Sequence, residues 1–115
     1  MEAKQLATWD DFMKVDMRVG TIIHAELFEG LNKPAYKIHI DFGNEIGIKK
    51  TSAQVTKLYQ PEDLLNKQVI GVVNFPPKQI KNFFSECLLM GAVGENGEIT
   101  LLQTEREIKN GLRIG

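Results

Sequence analysis

The chain has 115 residues, 43% of them hydrophobic and 25% charged, and 14 Lys and Arg against 15 Asp and Glu leave a net charge of -1. That balance excludes disordered and fibrous classes, and the length fits one domain spanning 1-115, with a single core that buries about two thirds of the unfolded chain's surface. No apolar stretch approaches the roughly 20 residues of a membrane helix, the N-terminus MEAKQLATWDD has no signal-peptide core, and the lone Cys87 excludes an internal disulfide framework, so a cytoplasmic location without membrane insertion is expected.

Thr8 opens the first element. It can cap a helix over about 8-14, with Asp11 at the capping-box position and Asp10 and Asp11 near the positive end of the dipole. Trp9, Phe12 and Met13 then form an apolar stripe, suited to packing on the body of the domain or to a subunit contact. From Met17 to Phe28 a β-branched run predicts a long first strand, with Gly20 marking a bend or a close approach to a neighbour. Tyr36 to Phe42 alternates strictly and predicts a second strand with Tyr36, Ile38, Ile40 and Phe42 on its inner face. Gly43-Asn44 turns the chain into a third strand over Glu45 to Lys50. Ser52 can cap a short helix through Ala53 to Tyr59, ended by Pro61, with Pro61 to Leu65 adding a further turn.

The stretch Val69 to Val93 follows. Two short apolar runs, Val69 to Val73 and Cys87 to Val93, read as buried strands. Pro76-Pro77 ends the first run, because proline cannot donate to a ladder. The segment between them carries Lys78, Lys81 and Phe83-Phe84, too basic and aromatic for a plain connector. Asn96-Gly97 is a hairpin turn into Ile99 to Gln103, and NGLRIG forms a last short extended segment.

Mainly β, with five main strands and a short helix between the third and fourth, the order matches an OB-fold, a Greek-key barrel, here with an N-terminal helix and a C-terminal extension. Residues 49-83 hold six basic and two acidic groups, whereas residues 1-48 hold five and eight, so only the middle of the chain is basic. That excess fits either an anionic partner or a solvated lysine face. Lys49, Lys50, Ser52, Gln54, Asn74 and Lys78 are expected to meet where the third strand, the helix start and the proline loop converge. A capped helix start beside lysines would receive a phosphate or carboxylate. Phe75, Phe83 and Phe84 either edge a binding surface or plug the end of the barrel.

Four motifs carry a family resemblance: DMRVGTI from Asp16, TSAQV from Thr51, NFPPKQI from Asn74 and SECLL from Ser85. In this order and spacing they resemble the tRNA-binding domain family, over nearly the whole chain. Within the family the chain is similar to small stand-alone members described as chaperones of protein secretion; Ser52-Ala53-Gln54 resembles that branch, where many other members read Ser-Gly-Leu or Ser-Gly-Ile. The resemblance implies a homodimer with the N-terminal helix and C-terminal segment at the contact, hence Trp9, Phe12, Met13, Leu112 and Ile114. It also implies surface pockets for unfolded or export-bound polypeptide, or alternatively recognition of folded tRNA by shape and backbone contacts. The expected binding set is Lys49, Lys50, Ser52, Gln54, Asn74, Phe75, Lys78 and Phe83.

Catalysis and cofactors are not expected. His24 and His39 have no partners at metal-ligand spacing. The glycines at 91, 94 and 97 precede no helix and so do not form a phosphate loop, and neither Ser85 nor Cys87 has a histidine near it in sequence.

Overall fold

The structure, a computed structural model, describes residues 2–115. In chain order its elements are α1 (Trp9–Met13), β1 (Met17–Leu27), β2 (Tyr36–Asp41), β3 (Ile48–Ala53), α2 (Pro61–Leu64), β4 (Gln68–Val72), β5 (Lys78–Ile80), β6 (Phe83–Ser85), β7 (Leu88–Leu89), β8 (Gly91–Val93) and β9 (Ile99–Leu101). Five of the strands form one antiparallel sheet in the order β3-β2-β1-β4-β7. β1 is shared by both walls: its first half pairs with β4 and its second half with β2, and a register irregularity between Ile22 and His24 lies where the partner changes.

The sheet curls until β3 approaches the segment before β7. Four hydrogen bonds hold this seam: Glu86 N-H to the Lys50 carbonyl at 2.8 Å, Lys50 N-H to Glu86 Oε1 at 3.0 Å, Ser52 N-H to Ser85 Oγ at 2.8 Å, and Thr51 Oγ1 to the Cys87 carbonyl at 2.8 Å. The result is a nearly closed five-stranded barrel of OB-fold type, as the order of predicted strands anticipates.

Inside lie Ile22, Tyr36, Ile38, Ile40, Phe42, Val69 and Leu89 among others. The alternation of β2 delivers Tyr36, Ile38 and Ile40 inward, and Phe42 follows on the same face. Room for the Phe42 ring comes from glycines on two adjacent strands. A Cβ at Gly20 would stand 2.7 Å from Phe42 Cδ1, and one at Gly71 would stand 2.7 Å from Cζ, so only glycine fits beside the ring at either place.

A second apolar cluster lies on the other face of β1 and β4. Met17, Val19, Ile70 and Val72 are covered there by Phe12 and Val15 near α1, by Met90 and by Ile114. That is why the fourth strand reads as an unbroken apolar run: it is buried on both faces. The capping box forms as expected, with Asp11 N-H donating to Thr8 Oγ1 at 3.1 Å and Thr8 N-H to Asp11 Oδ2 at 3.0 Å. The C-terminal segment lies along β1, with Val19 N-H bonded to the Leu112 carbonyl at 3.0 Å and Gly111 N-H to the Val19 carbonyl at 2.7 Å.

Three expectations are corrected. The third strand starts at Ile48, not Glu45, because residues 43-47 close the turn with both Gly43 and Gly47 at positive φ. The helix over 53-59 does not form. Ala53 stays in β3 opposite Tyr36, and Val55 and Tyr59 are drawn into the barrel wall, Tyr59 by accepting from Leu101 N-H at 3.1 Å. A helix of that length is marginal alone, and tertiary pairing outcompetes it. The helical turn between the third and fourth strands is α2, the turn expected from Pro61 to Leu65, which Pro61 begins, with Gln60 N-H bonded to Asp63 Oδ2 at 2.8 Å. Finally, the run from Cys87 to Val93 is not continuous and is buried only at alternate positions, Cys87 and Leu89. It divides at Met90 into β7 and β8, and Leu88 and Val93 face outward.

Among the described residues no helix is long and apolar enough to cross a membrane.

Candidate binding groove

The seam between β3 and β7 closes only as far as Ser52. Beyond it the chain leaves β3 through Gln54, while β7 and β8 continue on the other side. A groove of about 660 Å³ occupies the opening. Its floor reaches Val55, Cys87, Leu89 and Ile99, which belong to or pack on the barrel core. Phe75, Leu88 and Val93 line it while 49%, 49% and 64% exposed. Polar groups stand among them: Ser52, Gln54, Ser85 and Lys78.

The proline segment and the hairpin after it shape one wall. Pro76-Pro77 part the chain from β4, and Lys78–Ile80 then pairs with Phe83–Ser85 through a turn in which Lys81 adopts φ 54. Alternation along β6 turns Phe83 inward and Phe84 outward, at 8% and 45% exposure.

Of the expected binding residues, Ser52, Gln54, Phe75 and Lys78 come together in the groove. Lys49 and Lys50 sit half-buried on β3, outside the lining. The Lys50 ammonium lies 5.2 Å from the Phe83 ring centre, and Lys37 lies over the Phe28 and Phe83 rings at 4.7 and 5.6 Å. Phe83 is a correction: it packs edge-on against Phe28 at 5.4 Å in a buried cluster with Ala35, so the lysines and not the ring meet solvent. Asn74 is also placed elsewhere. Its side chain accepts from Asp16 N-H at 2.8 Å and donates to the Lys14 carbonyl at 2.7 Å, fastening the α1–β1 connector to the loop that carries Phe75. The expected anion site at a helix start over Ser52 is withdrawn with its helix, since the Ser52 amide is taken by Ser85.

Trp9, Met13 and Leu112 are exposed, at 68%, 48% and 46%, whereas Phe12 and Ile114 are partly buried over the outer cluster of β1 and β4. Leu88, Val93 and Ile99 line the groove without having been singled out from sequence. A usable signal was present in Cys87-Leu88-Leu89, where a strand buried on one side must turn its middle residue outward.

Little in the groove is reactive. Burial pushes the Cys87 thiol up to about 12, against a smaller opposing pull from Lys49, so it is a thiol and not a thiolate at neutral pH. The two histidines face each other across β1 and β2 with ring centres 5.0 Å apart, and His24 Nε2 meets Glu26 Oε1 at 2.9 Å. No group of three or more His, Cys, Asp or Glu among the described residues is arranged to hold a metal ion.

Residues 17–113 match a family model described as a putative tRNA binding domain. The methionine--tRNA ligase of Thermococcus onnurineus (strain NA1) is 36% identical over 107 residues, covering 92% of this chain; the chain spans only 14% of that relative's length. Among solved structures, two CsaA proteins are matched over the whole of their own chains. The chaperone CsaA of Bacillus anthracis str. Ames superposes with a TM-score of 0.91 at 48% identity, covering 96% of this chain and 100% of its own. A CsaA chaperone protein of Picrophilus torridus superposes at 0.89 with 46% identity, again covering 96% and 100%.

Proposed function

We propose a function on one premise: the chain belongs to the putative tRNA binding domain family. It works as a non-catalytic binding module in the manner of the CsaA chaperones that it resembles, a cytoplasmic homodimer that holds unfolded or export-bound polypeptide. One observation carries this reading: the groove beside the seam has an apolar floor and exposes Phe75, Leu88 and Val93 to solvent. Covering about 100 Å² of such surface contributes roughly 2.5 kcal/mol, so two or three apolar side chains would give useful affinity before ordering costs are subtracted. Ser52, Gln54 and Lys78 supply the polar contacts. Phe83 and Asn74 act behind the groove, as a support for the lysines and a tether for the loop.

The dimer contact is assigned to α1 and the C-terminal segment, with Trp9, Phe12, Met13, Leu112 and Ile114 contributing. Support comes from the exposure of Trp9, Met13 and Leu112 beside the outer cluster of β1 and β4. Sedimentation should give a dimer, and Trp9→Ser should shift it toward monomer.

A second reading is favoured by the family's description and by the lysines beside the groove. Lys37 and Lys50, which lie over the Phe83 ring, and Lys78 on the groove wall would meet the phosphates of folded tRNA. The two readings separate in one titration, of bulk tRNA and of denatured polypeptide at low and high ionic strength. Polypeptide binding that survives salt and weakens in Phe75→Ala supports the chaperone reading. A tRNA complex that falls steeply with salt, with no polypeptide bound, would replace it with the second.

A further inference from the structure

The groove is bordered by unpaired main chain as well as by apolar side chains. Hydrogen-bond parity shows which way each amide points. Leu102 N-H donates to the Met90 carbonyl and Gly94 N-H to the Glu98 carbonyl, so even-numbered positions of β8 turn toward β9. Gly91 and Val93 therefore turn their N-H and C=O groups to the opposite edge. That edge carries no strand: β8 and β9 form a two-stranded sheet, and among the described residues neither amide has a hydrogen-bond partner there. Both residues line the groove, and Val93 is 64% exposed.

The facing wall has the same character. Phe42 N-H donates to the Gly47 carbonyl, which turns Lys49, Thr51 and Ala53 toward β2 and turns Lys50 and Ser52 outward. The outward amides of Lys50 and Ser52 are occupied by the Glu86 and Ser85 side chains, at 3.0 and 2.8 Å. Gln54, the next outward position, lies in the groove with its N-H free among the described residues.

We propose that the groove takes polypeptide as an added β-strand, an extended segment pairing with the free edge of β8 at Gly91 and Val93 while alternate apolar side chains enter between Phe75, Leu89 and Val55. This rests on the polypeptide reading above and says how that ligand is held. Edge groups supply affinity that is blind to sequence, and the apolar floor reads every second residue, which is what a binder of many unfolded chains requires. A bound strand also covers an edge that is otherwise open to self-pairing.

The test uses the full chain and a fluorescein-labelled peptide of alternating Leu and Ser, followed by anisotropy. Backbone N-methylation is placed at either of the two alternating sets of residues. Methylating the set that faces the edge should weaken binding about tenfold or more, a loss of about 1.4 kcal/mol, and methylating the other set should change it by less than about twofold. Val93→Pro removes the same donor from the protein's side. Because that N-H points away from β9, the variant should keep its thermal midpoint and lose peptide affinity to a similar degree. Binding that ignores both methylation patterns and Val93→Pro would overturn the strand-addition mode alone and leave the groove reading standing. No binding of the unmethylated peptide would overturn both. A dimer that dissociates in Val93→Pro would instead assign the edge to self-association and overturn the proposal.

Discussion

Gly71→Ala tests how tightly the barrel closes around Phe42. The added methyl would stand 2.7 Å from Phe42 Cζ, closer than side-chain carbons approach, and 3.1 Å from Cε1, and the same ring also lies over Gly20 on the adjacent strand, where a Cβ would stand 2.7 Å from Cδ1. Phe42 is fully buried, so no rotation into solvent relieves the contact. Two effects oppose each other. Alanine restricts the unfolded chain and gains about 0.4–1 kcal/mol where the backbone tolerates it, while overpacking costs about 1–3 kcal/mol. With the ring fully buried the second should win, by about 1–2 kcal/mol. At about 4 °C per kcal/mol the thermal midpoint would fall by roughly 4–8 °C, and the urea midpoint would fall without a change in slope. The decisive measurement is a double-mutant cycle. Phe42→Leu alone leaves a cavity, but combined with Gly71→Ala it gives the methyl room, so the pair should cost less than the sum by about 0.5 kcal/mol or more. Strict additivity, or an unchanged midpoint in Gly71→Ala, would refute the packing argument.

Thr51→Val keeps the shape of a side chain only 2% exposed but deprives the Cys87 carbonyl of its donor across the seam, and denaturant unfolding should show a loss of about 1–3 kcal/mol. Gln68 accepts from Thr104 Oγ1 at 3.1 Å and Ile108 N-H at 3.0 Å while donating to Asn110 Oδ1 at 3.0 Å; Gln68→Ala should free the segment 104-110 and speed tryptic cleavage at Arg106 with β1 still protected from hydrogen exchange. Cys87 gives a pH dependence with a definite sign. Its folded pKa, about 12, lies above the ordinary 9.0, so the unfolded chain loses the proton first. The thiol's contribution is complete below pH 9, declines as the pH rises from there toward 12, and the decline should be smaller in Cys87→Ala when stability is followed through that range.

What could be read from sequence was what short-range rules decide. The alternation from Tyr36 to Phe42 fixes which face is buried, and Thr8 with Asp11 closes a capping box within one turn of helix, so both appear as expected. Ser52 shows where such rules fail. Locally it is a good helix cap, yet its amide is claimed by Ser85, 33 residues away, and no local signal announces that bond. Phe83 and Phe84 are equivalent in sequence. Their opposite fates follow from a hairpin whose turn places Lys81, not a glycine, at positive φ. At the groove, the breakers Pro76-Pro77 drew attention to Phe75 and Lys78, whereas Leu88 and Val93 were hidden in a run that reads as interior until its division at Met90 is known.

The way the C-terminal segment lies along Met17 to Val19 governs the order in which the molecule can be completed. The backbones of Arg18 and Arg113 pair in an antiparallel bridge, and the Ile114 amide reaches the Met17 carbonyl at 2.9 Å, so one flank of an early-made strand is finished by residues far later in the chain. During translation that flank waits bare, and docking of residues 111-114 becomes a late, long-range step. In hydrogen-exchange labelling during refolding, the Val19 amide, whose acceptor is Leu112, should acquire protection after the amides in the ladder between β1 and β2.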